Sequence, residues 1–259
     1  MLSRDPDFLN LGVNTGVEWP TAETEYDFGR WKIVAMPPTT EHEASLHIDL
    51  GRHRLTRAEG ASVLNQVMSI AVWLDDQFGA ILTGMAGSTK PSAVPRTTQS
   101  FPSSIVPHWT NAWNPIADQR QRLALAIYRE AVNMQHFHSM PFAVVGFYRI
   151  AELVWAKGLE RGDALEIHIA DIIAGDTIWL QQLKWGGYIG DTSPKALAVH
   201  IREECRNAAA HAAGDPIINP DDAAHQHGMA AVATLMRRVA RTVIQKELKV
   251  GRDRWKTGP

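Results

Sequence analysis

Apolar positions alternate with polar ones near the start of the chain and recur at helical spacing through most of the remainder. After a polar lead, two runs predict strands, Arg30 to Met36 and Glu43 to Leu50, parted by the turn-forming Pro37-Pro38-Thr39-Thr40. In the second run Ala44, Leu46, Ile48 and Leu50 alternate with Ser45, His47 and Asp49, the pattern of a sheet with one wet face. Thr56 followed three residues later by Glu59 predicts a capping box and a helix to about Phe78, with Val63, Val67, Ile70 and Leu74 as its buried stripe. From Thr83 to Asn114 the chain is rich in Gly, Pro, Ser and Thr and reads as a long loop or lid containing Trp109 and Trp113.

Beyond that loop the spacing is helical almost throughout. Asn114-Pro115 predicts the start of a helix to about Met134, with Leu123, Ile127, Ala131 and Met134 on one side. Ser139-Met140-Pro141 opens a second helix to about Lys157, whose broad apolar surface (Phe142, Val145, Phe147, Tyr148, Ile150, Ala151, Val154, Trp155) marks the centre of a bundle. A third runs from Arg161 to Ala174, and a fourth from Ser193 to Ala212 along a seam of Leu197, Ile201, Cys205 and Ala208. Asn219-Pro220-Asp221-Asp222 caps a last helix to about Leu248, with Val232, Leu235, Met236, Val239, Val243 and Ile244 inward and Arg237, Arg238, Arg241 and Lys246 outward. The expected organisation is a small α+β region over 1–112, a helical domain over 113–250 and a polar tail over 251–259. The chain is mainly α.

A chain of 259 residues with 45% hydrophobic content can bury a substantial core. Its formal charge of -2 argues against avid, non-specific binding to long nucleic acid and leaves room for a local basic cleft. The single cysteine, Cys205, excludes an internal disulfide and a thiolate zinc cluster. The opening Met1 to Pro6 does not resemble an export signal, and the apolar runs are too short for a membrane span, so a soluble, cytoplasmic protein is expected. His136 and His138, with His108, His225 or His227, fix no third metal ligand, and Gly186 to Gly190 lacks a phosphate-loop lysine. Neither a metal nor a cofactor is expected.

The chemistry centres on Arg206-Asn207-Ala208-Ala209-Ala210-His211. A guanidinium fork can hold a phosphate oxygen and an imidazole can move a proton near neutral pH. RNA carries its own nucleophile, so an arginine, a polar helper and a histidine suffice for cleavage without a metal. On an ideal helix turning about 100° per residue, Glu203, Asn207 and His211 share a side and Arg206 lies about 140° from His211. A two-fold dimer pairing Arg206 with His211 across subunits is one way to close that gap. The plain alternative is that Arg206 pairs with Glu203 or with an acid on a neighbouring helix, and that His211 merely helps end its own.

This hexapeptide resembles the arginine, polar residue and histidine motif of the HEPN superfamily. Upstream, Ala126 to Ala131 (AIYREA) and Phe142 to Glu152 (FAVVGFYRIAE) are similar to the first two bundle helices of its MauJ-like and Apea-like branches, and the likeness spans roughly Trp113 to Leu248. The resemblance implies a HEPN-like helical bundle that forms a homodimer and acts as a metal-independent endoribonuclease. Arg206, Asn207 and His211 are then catalytic, and the inward-facing acid Glu152, with Arg202 and Glu203, contacts the RNA. The rival readings are a non-catalytic interaction or regulatory module on the same bundle, and a small-ligand sensor.

Overall fold

The computed structural model describes residues 7–97, 104–106, 114–155, 159–175, 181, 184, 190–210 and 222–251. Two compact units divide the chain, one within Met1–Arg122 and one at Leu123–Gly251. His211, Trp109, Trp113, His108, Trp179, Trp185 and Gly186 to Ile189 lie outside the described residues, as do Asn219 to Asp221.

The first unit is built on an antiparallel sheet of β1 (Phe8–Thr15), β3 (Thr24–Phe28), β4 (Trp31–Met36), β5 (Ala44–Asp49) and β6 (Gly79–Ser88), in the order β3-β4-β5-β1-β6. A parallel pair, β2 (Glu18–Pro20) with β7 (Ser104–Val106), forms separately. The polar lead is therefore a correction, because Phe8–Thr15 is an inner strand hydrogen-bonded on both edges. Its Leu9, Leu11 and Val13 alternate with Asn10, Gly12 and Asn14, and the buried asparagines disguise the strand. The loop expected from Thr83 is also corrected, since β6 runs on to Ser88. Gly84 permits this: a Cβ there would collide with the Asn10 carbonyl and Leu11, beside an irregularity in the β1 pairing.

A short helix α1 (Leu50–His53) leads to α2 (Arg57–Asp75). The capping box forms as its sequence predicts, with Thr56 accepting from the Glu59 amide and Glu59 from the Thr56 amide. Gly60 lets α2 approach the sheet, because a Cβ would meet Leu50, Ile48 and Leu9. Over β1 and β5 the opposite sheet face is not wet, while at the β3 edge it stays exposed at Glu25 and Asp27. Ser45 and His47 are fully buried, as is Asn10, and the Ser92 amide donates to Asn10 Oδ1 at 2.9 Å. The segment near Ser92 to Arg96 crosses this face, with the Glu43 amide donating to the Val94 carbonyl and Val94 lying against Gly12.

The helical unit continues from α3 (Gln119–His136) through α4 (Met140–Val154) and α5 (Leu159–Gly175). Next come α6 (Pro194–His200), a π-helical turn over Ile201–Asn207, α7 (Ala208–Ala210) and the long α8 (Ala223–Lys246). The expected helix start at Asn114-Pro115 is displaced: α3 begins at Gln119, with Asp118 Oδ1 accepting from the Gln121 amide. Leu123 and Met134 are exposed, so the buried stripe of α3 is Ala124, Ile127, Tyr128 and Ala131 with Leu125 and Val132. Phe142 is likewise exposed.

Alpha-4 lies at the centre, packed on α8. Gly146 admits α3 closely, because an added Cβ would stand 2.8 Å from that of Ala131. Arg237 and Arg241 on α8 donate to the Tyr128 hydroxyl, so part of that basic side is spent within the fold. The inward set Val232, Leu235, Met236, Val239, Val243 and Ile244 is buried as expected, and Asp222 caps the helix. A sheet-bearing first unit followed by a helical one is the coarse architecture the periodicity predicts.

Candidate functional site

The candidate site begins with a change of helical winding. Pro194 occupies the first turn of α6, and Ser193 caps it by accepting from the Ala196 amide. Leu197, Ile201 and Cys205, four residues apart, are buried along one seam. Between Ile201 and Asn207 the winding widens to i→i+5 bonding, a form concentrated at functional sites. The residues between the seam positions, Arg202, Glu203, Arg206 and Asn207, remain at least partly exposed.

These four and Glu152 form one continuous polar chain. Arg202 Nε donates to Glu203 Oε1 at 2.7 Å, and Asn207 Nδ2 donates to Glu203 Oε2 at 2.9 Å. Asn207 Oδ1 accepts from Arg206 Nη1 at 3.0 Å, and Arg206 Nη2 donates to Glu152 Oε1 at 3.0 Å. The Arg206 guanidinium carbon lies 5.8 Å from the Tyr148 ring centroid. Tyr148 and Glu152 are one turn apart on α4 and therefore share a face, which lays the arginine across an aromatic ring and onto a carboxylate.

Sequence reasoning missed the next link. Arg161, on α5, donates from Nη1 to the same Glu152 oxygen at 3.2 Å and from Nη2 to the Trp155 carbonyl at 3.2 Å. Its Nε is buried with no hydrogen-bond partner among the described residues. The only available signal was chemical: a carboxylate on a mostly apolar helix calls for a cation, and Arg161 opens the next helix. The side chains of Arg161, Glu152 and Arg206 are 14%, 26% and 29% exposed, so solvent reaches Arg206 most freely.

The guanidinium of Arg206 carries five N–H donors. Protein acceptors among the described residues take one from each terminal nitrogen. The remaining donors are available to an oxyanion.

Cys205 is not part of this polar surface. Burial pushes its thiol up to about 12, and its sulfur lies 3.4 Å from His200 Nε2, whose Nδ1 is 2.9 Å from Glu204 Oε2. A thiol so disfavoured as thiolate is packing, not a nucleophile. On α5, His168 is buried beside Trp155, with ring centroids 5.3 Å apart. Loss of hydration lowers its pKa, opposed in part by Glu247. His136 packs edge-on against Phe137. Among the described residues no group of three or more His, Cys, Asp or Glu is placed to hold a metal ion, and no helix is long and apolar enough to cross a membrane.

Arg206, Asn207, Glu203, Arg202 and Glu152 are thus brought together, while His211 lies outside the described residues. A family model described as methylamine utilization protein MauJ matches residues 124–245, a span containing all six of these positions. That match agrees with the MauJ-like part of the resemblance. No curated protein and no solved structure matches the chain.

Proposed function

We propose that the helical unit is a HEPN-like, metal-independent endoribonuclease with Arg206, Asn207 and His211 as its catalytic set. One observation carries this reading: Arg206 is anchored by Tyr148, Asn207 and Glu152, yet keeps solvent access and donors that no acceptor among the described residues takes. An arginine held in place before the substrate arrives stabilises phosphoryl charge at little reorganisation cost.

In the reaction, His211 takes the proton of a ribose 2'-hydroxyl as that oxygen attacks the adjacent phosphorus. The P–O5' bond breaks, and the leaving 5'-oxygen receives a proton from His211 or from water. The products are a 2',3'-cyclic phosphate and a 5'-hydroxyl end. Arg206 binds a non-bridging oxygen and Asn207 holds Arg206, with Glu203 and Arg202 completing the rim. A homodimer through the bundle would place two such sites on one RNA-binding particle.

A second reading draws on a specific observation. The Arg206–Glu152 pair also suits an interaction module in which that arginine only joins helices. Incubation of the purified protein with single-stranded and structured RNAs in excess chelator separates the two. The nuclease reading expects cyclic-phosphate ends that disappear in both Arg206→Ala and His211→Ala. Cleavage insensitive to both substitutions, or no cleavage of any RNA, assigns the motif to the scaffold.

A further inference from the structure

We propose that Arg161 is a positioning residue of this site, holding Glu152 away from a full pairing with Arg206 so that the site can take a phosphodiester monoanion. The proposal rests on the phosphate-binding part of the reading above. Its basis is the shared oxygen: Glu152 Oε1 accepts from Arg206 at 3.0 Å and from Arg161 at 3.2 Å. Carboxylate and guanidinium left alone favour two parallel hydrogen bonds, which occupy two donors of the fork. Here Arg206 gives Glu152 only Nη2, while Nη1 turns to Asn207.

Arg161 is itself fixed from the other side by the Trp155 carbonyl and is the least exposed of the three. Its Nε is buried with no acceptor among the described residues, so Glu152 and the Trp155 carbonyl are the acceptors that hold it there. Two guanidinium groups against one carboxylate leave a formal charge of +1 at the cluster, while Arg202 and Glu203 offset each other. A singly charged phosphodiester neutralises that remainder.

Without Arg161 the cluster becomes neutral, Glu152 turns wholly to Arg206, and the arriving phosphate must displace a carboxylate. Removing Glu152 as well frees Arg206 again. A purely structural Arg161 predicts the opposite, since the double substitution would only add damage.

The test uses the full chain and a 2'-O-methyl oligonucleotide, which binds but offers no free 2'-hydroxyl, followed by fluorescence anisotropy. Arg161→Gln is expected to weaken binding by about tenfold or more, the worth of a charge-assisted hydrogen bond. The Glu152→Gln/Arg161→Gln pair is expected to recover part of that loss and bind more tightly than Arg161→Gln alone, since Arg206 regains donors while the amide oxygen at position 152 still accepts from it. If Arg161→Gln does not fold by circular dichroism, Arg161→Lys and its double with Glu152→Gln serve, with the same ordering at smaller amplitude.

Wild-type affinity in Arg161→Gln, or a double variant weaker than the single, overturns the assignment. RNA cleavage is measured on the same samples. Binding in the expected order without cleavage removes the catalytic reading and keeps Arg161 as a positioning residue. Failure of the unaltered chain to bind the oligonucleotide overturns both.

Discussion

Each unit contains a polar network among apolar residues, and the two are finished differently. In the sheet unit, His47 Nδ1 lies 2.8 Å from Asn10 Oδ1 and Nε2 lies 2.9 Å from Ser45 Oγ, with all three residues fully buried. Asn10 Oδ1 also accepts from the Ser92 amide, while its Nδ2 donates to Ser88 Oγ at 2.9 Å and to two backbone carbonyls. The amide oxygen of Asn10 can only accept, so His47 donates from Nδ1 and accepts a hydrogen bond from the Ser45 hydroxyl at Nε2. Serine, imidazole and amide stand in a relay familiar from hydrolases, but the hydroxyl is sealed from solvent and every partner is satisfied. Such a network specifies structure: it fixes the Ser92 segment across the sheet.

The helical unit leaves its network unfinished. Among the described residues Arg206 is part-exposed with donors unspent, and Arg161 Nε is buried without an acceptor. A closed network holds the chain; an open one can hold something else. That contrast, more than the presence of histidine or arginine, separates the structural polar residues from the candidate functional ones.

The contrast is broken most sharply by Arg206→Ala. Loss of a donor to developing phosphate charge is expected to lower the RNA cleavage rate by about 100-fold or more, with the thermal midpoint nearly unchanged because the arginine is part-exposed. A midpoint drop large enough to explain the lost activity would make Arg206 structural instead. His47→Ala should behave in the opposite way, costing about 4 kcal/mol in denaturant unfolding through a cavity and stranded Ser45 and Asn10 groups. RNA cleavage by the folded fraction should be unaffected.

Acid sharpens the same distinction. Burial lowers His47 from its ordinary value of 6.5 to about 4. Between those values the unfolded chain binds a proton that the folded ring refuses, so stability falls as pH drops through 6.5 and levels off below about 4. The loss amounts to about 3 kcal/mol, readable as a shift in urea midpoint that His47→Gln largely removes. A pH-independent midpoint over this range would contradict the closed, neutral network. The smallest change is expected for Thr56→Ala, which removes the α2 cap for about 1 kcal/mol in the same unfolding measurement.

What the sequence made legible follows the same line between closed and open groups. Thr56 and Glu59 announce α2 because a capping box is a local device, complete within four residues. The core face of α8 is equally plain, since its six apolar positions repeat at helical spacing. Phe8–Thr15 was illegible because Asn10 and Asn14 look solvent-facing until partners distant in sequence cover them. The burial of Ser45 and His47 is hidden for the same reason: alternation predicts two faces, and only the fold decides where the polar one is wet. At the candidate site, Arg206, Asn207 and Glu152 are visible as a motif and a resemblance. Arg161 is not, because its meeting with Glu152 depends on how α5 returns against α4.

The most direct measurement uses one RNA of defined cleavage position and its copy with a single deoxyribose at the scissile nucleotide. If Arg206 serves attack by the neighbouring ribose hydroxyl, the unaltered protein cuts the first RNA there and leaves the substituted position intact. Equal cutting of both at that position would mean that another nucleophile performs the reaction, contradicting the account.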